Sequence, residues 1–75
     1  MQNGTLVHTD FCRISGKDYE ISVYRRDGRH YARTIFAPED VIISDGLTKE
    51  EALAKHQHLL PLAINSRQIL RDMHR

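Results

Sequence analysis

The chain has 75 residues, 40% hydrophobic and 28% charged, with Lys and Arg exceeding Asp and Glu by 11 to 10. That length makes one small domain with a thin core, and that charge balance gives no argument for nucleic acid from net charge alone. The single cysteine, Cys12, excludes an internal disulfide and a cysteine-rich zinc site, and no apolar run approaches the roughly 18 residues of a membrane span.

Met1-Gln2-Asn3-Gly4 lacks the basic and apolar regions of a signal peptide. The expectation is a cytoplasmic protein in a reducing setting, with no membrane association.

In chain order, Thr5 to Ile14 spaces Val7, Thr9, Phe11 and Ile14 as in a half-buried strand. Ser15-Gly16-Lys17-Asp18 reads as a turn, and Gly16 could add a bulge that flips which side of the strand faces inward. Phe11 is the residue most affected. Tyr19 to Arg26 alternates, Asp27-Gly28 is a strong two-residue hairpin signal, and Arg29 to Phe36 is the returning strand.

A two-residue turn pairs Arg26 with Arg29, Tyr24 with Tyr31, Ser22 with Arg33 and Glu20 with Ile35. The same register pairs Val23 with Ala32, Ile21 with Thr34 and Tyr19 with Phe36. One face therefore carries Tyr19, Ile21, Val23, Ala32 and Phe36 and needs covering. The other interleaves Arg26, Arg29 and Arg33 with Tyr24 and Tyr31. Those five residues are the candidate face for nucleic acid or a protein partner, since arginine answers phosphate and tyrosine stacks on bases or packs in interfaces.

Ala37-Pro38-Glu39-Asp40 breaks the strand, Val41 to Ser44 is a short fourth one, and Asp45-Gly46 supplies a tight turn. Thr48 is a good helix N-cap. Glu51, three residues on, can reach back to its backbone N–H, and Leu47 can staple onto Ala52. Ala52, Leu53, His56, Leu59, Leu60, Ala63 and Ile64 then recur at helical spacing. Pro61 sits inside that pattern, so the helix is expected to kink there, or to end near Leu60 with Pro61 opening a second helix, and Asn65-Ser66 is a further candidate cap. Ile64, Ile69, Leu70 and Met73 continue an apolar face. The fold class is α+β, with an antiparallel sheet of three to four strands in β-β-β-β-α order and one face covered by a C-terminal helix kinked or broken at Pro61.

Chemistry-bearing spacings are absent. His56 and His58 fall on different sides of a helix, whereas helical zinc pairs stand four apart. His8 and His30 lie on separate strands, Cys12 reads as a packing residue, and Asp10, Asp40 and Asp45 suit turn roles. No catalytic, cofactor or metal residue is assigned, and the chain is read as a non-enzyme.

A tight-turned β-hairpin, a proline-containing loop, a short strand and the pattern Gly46-x-Thr48-x-x-Glu51-Ala52 opening a helix together resemble the HicB-like antitoxin domain of bacterial toxin–antitoxin systems, over about Tyr19 to Ile64. The resemblance implies a partial ribonuclease-H-like fold that is not itself a nuclease, self-associates and binds a small protein partner. The favoured expectation is a homodimeric protein-binding module. The alternative is a nucleic-acid binder using Tyr24, Arg26, Arg29, Tyr31 and Arg33.

Overall fold

The computed structural model describes residues 4–73. Four strands, β1 (Thr5–Ile14), β2 (Lys17–Arg26), β3 (Arg29–Ala37) and β4 (Asp40–Gly46), precede one helix, α1 (Lys49–Met73). The strands form an antiparallel meander in the order β1-β2-β3-β4, so β1 and β4 are its edges. This is the expected α+β arrangement.

The first two of the three hairpin loops each have two residues with positive φ. Asp27 and Gly28 stand at 51° and 80°, and Ser15 and Gly16 at 52° and 79°. Paired positive φ values match the right-handed twist of the flanking strands. The β2–β3 register is the expected one, with Ser22 opposite Arg33, Val23 opposite Ala32, Tyr24 opposite Tyr31 and Arg26 opposite Arg29.

β1 departs from the expectation. The register shift falls between Leu6 and His8 rather than at Gly16. His8, Asp10, Cys12 and Ile14 thereby share the inner face with Ile21 and Val23, and Phe11, opposite Glu20, points outward at 62% exposure. A bulge displaces every residue on one side of it to the other face, and nothing local in Thr5-Leu6-Val7-His8 announces it.

The helix begins as its cap predicts. Thr48 Oγ1 accepts the Glu51 N–H at 3.0 Å and Thr48 O accepts the Ala52 N–H at 3.1 Å. The return bond is shifted by one residue: Glu51 Oε1 accepts from Leu47 N at 2.7 Å, not from Thr48. Leu47 is 65% exposed and so makes no staple on the buried Ala52. Gly46 is needed for closeness rather than for a turn. Its φ is not in the left-handed region, but a Cβ there would lie 2.7 Å from Ala52 N and 3.0 Å from Glu51 Cβ.

α1 runs unbroken through Pro61, so the expected split near Leu60 and the second cap at Asn65-Ser66 are not found. Proline leaves the carbonyl four residues earlier, that of Gln57, without its helical donor. Pro61 and Gln57 are both exposed, where water can take that donor's place. No helix among the described residues is long and apolar enough to cross a membrane.

The helix packs on β4 and β3, and less on β2. Ala52 and Leu60 complete a core with Ile21, Val23 and Ala32; Leu53 and Ile64 flank it, and Leu59 remains 40% exposed. Farther along, Arg67 clamps the helix down. Its Nε and Nη2 donate to the two Asp40 oxygens at 2.8 and 2.5 Å, and its guanidinium lies 4.5 Å from the Phe36 ring centre. Phe36 in turn meets the edge of Tyr19 at 5.9 Å. Beyond this clamp a groove of 740 Å³ opens between the helix and the β1–β2 end of the sheet, lined by Ile14, Lys17, Tyr19, Ile64, Gln68 and Arg71 among others.

Candidate functional site

Strand alternation puts Ser22, Tyr24 and Arg26 of β2 and Arg29, Tyr31 and Arg33 of β3 on the face that no helix covers. The β3–β4 register brings Val41, Ile43 and Asp45 beside Ile35, Arg33 and Tyr31 on that same face. Tyr24, Arg26, Tyr31, Arg33 and Ile43 line one shallow depression of 390 Å³. Four of the five residues singled out in the sequence therefore meet in one place.

Arg29 does not join them. Its Nη2 donates to Asp45 Oδ2 at 2.6 Å, and this hydrogen bond, followed by the pair's Coulomb attraction, holds the Asp45 carboxyl below its usual range and the Arg29 guanidinium above its own. Arg33 donates from Nη2 to Tyr24 Oη at 2.7 Å and lies 4.7 Å from that ring's centre, while its covered Nε finds no acceptor. Arg26 stays exposed near Asp27, at 3.7 Å. The arginines are thus turned largely toward partners within the chain.

Around this polar centre the face is apolar. Ile43 is 59% exposed and Ile35 58%, and Leu6 and Phe11 project from β1 on the same side. The sequence reading missed Ile43 and Asp45 as members of the face. The signal was available in the parity of β4, which follows from β3 once the Pro38-Glu39 connection is known to be short.

The other candidates are placed apart. His56 is fully buried, with Nε2 2.8 Å from Thr34 Oγ1 and Nδ1 3.0 Å from Ser44 Oγ. Thr34 Oγ1 already gives its one hydrogen to Glu20 O at 2.9 Å, so it must accept from His56 Nε2–H. Nδ1 is then the acceptor, and Ser44 donates to it. Burial holds the imidazole below its ordinary pKa of 6.5, in the neutral form that this chain of bonds requires. A histidine so enclosed positions the helix and reaches no substrate.

Cys12 is a half-buried free thiol on the inner face of β1. His8 lies near Asp10, at 3.9 Å, while Asp40 and Asp45 are engaged by Arg67 and Arg29. No group of three or more His, Cys, Asp or Glu side chains able to hold a metal ion occurs among the described residues.

No family model matches the chain, and no curated protein or solved structure is detectably similar to it. The functional reading therefore comes from the geometry of the uncovered face.

Proposed function

We propose that the chain is a small non-enzymatic protein-binding module that works as a homodimer and takes a small protein partner, as its resemblance to HicB-like antitoxin domains implies. The observation that carries the reading is the uncovered sheet face, where Phe11, Ile35 and Ile43 stand exposed around the Tyr24–Arg33 pair. Exposed apolar area rimmed by polar groups favours burial against another protein, and tyrosine and arginine are among the residues enriched in such interfaces. The thin core supports self-association, because a chain of this size covers only about 60–65% of its unfolded surface when it folds alone.

The nucleic-acid alternative is less well supported. Binding to phosphates uses free cations, and Arg29 is neutralised by Asp45 while Arg33, still charged, has its guanidinium laid over Tyr24 and bonded to its hydroxyl.

Solution mass tests the reading. Light scattering at low and high salt is expected to return twice 8.7 kDa in both. A monomer at every salt would overturn the homodimer, and saturable binding of a labelled single-stranded RNA that weakens steeply with salt would move the face to the alternative.

A further inference from the structure

The two edges of the sheet differ. β1 is guarded by a bulge between Leu6 and His8, by the inward-facing His8 and Asp10, and by the Asp10 carboxylate, which accepts the Phe11 N–H at 2.8 Å. Bulges and inward charges are the means by which native sheets prevent edge pairing. On β4 the bulge and the inward acid are confined to its start, where the register shifts between Ile35 and Ala37 opposite Asp40, and the pairing with β3 is regular from Val41 to Gly46. The acids near its ends, Asp40 and Asp45, are both neutralised by arginines of the same chain. Within the strand itself, two copies of this edge bring no unpaired acid together.

The helix carries a second unsatisfied stripe beside that edge. At about 100° per residue, Ile64, Gln68 and Arg71 lie on the flank toward β1 and β2, where they line the groove with Ile14, Lys17 and Tyr19. Leu59, Leu62, Ser66, Ile69 and Met73 fall on the opposite flank, toward β4, with steps of three and four residues. That is the 3.5-residue period of a helix-pairing seam. Leu62 is 62% exposed and Met73 73%.

We propose that the second copy of the homodimer adds antiparallel to β4, joining two sheets into one of eight strands and laying the two helices side by side along the Leu59–Leu62 flank. The inference rests on the homodimer reading and names its interface. A two-fold axis perpendicular to the sheet keeps inner residues on the inner face, so Ile42 meets its own mate and Val41 meets Ile43 of the other copy.

The spacing agrees. α1 runs antiparallel to β4, passing Gly46 at Ala52, Ser44 at His56 and Asp40 at Arg67, and it lies over β4 and β3. With strands about 4.8 Å apart, an axis just outside β4 puts the helix axes about 10 Å apart, close to the 8–10 Å at which helices pack.

Leu62→Glu places two carboxylates at the axis. It is expected to weaken the dimer about tenfold or more in concentration-dependent light scattering, with the circular dichroism unchanged, whereas Gln57→Glu, exposed on the flank away from β4, leaves the dimer intact. In a Cys12→Ser background, Leu62→Cys is expected to cross-link two copies under mild oxidation, which confirms the geometry independently of stability. A wild-type monomer would overturn both the homodimer reading and this interface. A dimer that survives Leu62→Glu, or is lost instead on Phe11→Glu, would overturn the β4–helix interface and leave the homodimer standing.

Discussion

Thr34 and His56 meet across the layer between sheet and helix, Oγ1 to Nε2 at 2.8 Å, and the direction of that bond is dictated by Glu20 O, which takes the Thr34 hydrogen. One imidazole is thereby tied to three strands: to β3 through Thr34, to β4 through Ser44, and to β2 through Thr34's bond to Glu20. The Ser44 bond is the one that requires the neutral ring, because protonation takes the Nδ1 lone pair that accepts it, while Nε2–H donates to Thr34 in either form.

Stability should therefore fall with acid earlier than the carboxylates alone would dictate. His56 has its folded pKa below 6.5, so the unfolded chain binds the proton first. Its contribution is full above pH 6.5 and is lost as pH falls through that value toward the folded pKa. Urea midpoints are expected to drop between pH 7.5 and 5.5 in the wild type and to stay flat over that window in His56→Gln. An equal drop in both would place the sensitivity elsewhere.

The lowered carboxyls of Asp40 and Asp45 act in a separate window. Their folded pKa values lie below 3.8, so their contribution is present above that value and lost as pH falls through the folded pKa. Asp45→Asn is expected to change the urea midpoint above pH 5 only slightly, because the Arg29 pair is exposed and screened.

Thr48→Ala removes the acceptor for the Glu51 N–H and should cost about 1 kcal/mol in chemical denaturation. Gly46→Ala should cost more than Thr48→Ala, because its methyl enters the first helical turn at Ala52 N. Gly28→Ala, whose Cβ would meet open space, isolates the positive-φ penalty at about 1 kcal/mol. If Gly46→Ala proved the milder of the two glycine changes, the tight approach of sheet and helix would be wrong.

Arg67→Ala is expected to free the second half of the helix while leaving the first half protected. The bidentate bond to Asp40 and the Phe36 contact are what draw that half onto the sheet. Amide exchange should accelerate for residues 62–70 and remain slow at Ala52 and His56. Uniform loss across the helix would show that Arg67 supports the whole core instead.

The sheet and the helix start were legible because the signals are local. Asp27-Gly28 sets the register of β2 and β3, and Thr48 with Glu51 sets the helix start. What escaped the sequence depends on contacts far apart in the chain. The inward side of β1 turns on a bulge at Leu6 and His8, and the partners of His56 come from two strands whose facing residues are known only once the layers are stacked. Pro61 misleads for a related reason. Whether a proline breaks a helix depends on whether the freed carbonyl can find another donor, and here both Pro61 and Gln57 are exposed residues.

The outer face was legible in its arginines and tyrosines and not in its balance. Sequence alternation places Arg29 and Arg33 there, but only the register of β4 reveals that Asp45 answers one of them and Ile43 sits beside the other. A surface that reads as basic in one dimension has, in three, one of its arginines neutralised and apolar neighbours around the others.

The bulge in β1 finally bears on how large an assembly can become. A molecule with two receptive edges polymerises, because every addition leaves a fresh end on which the next copy can grow. With β1 guarded, joining through β4 consumes the one receptive end of each copy and terminates growth at the first step. Raising the concentration then fills pairs without lengthening them, and the flat apolar strands of this small sheet are kept from seeding fibres.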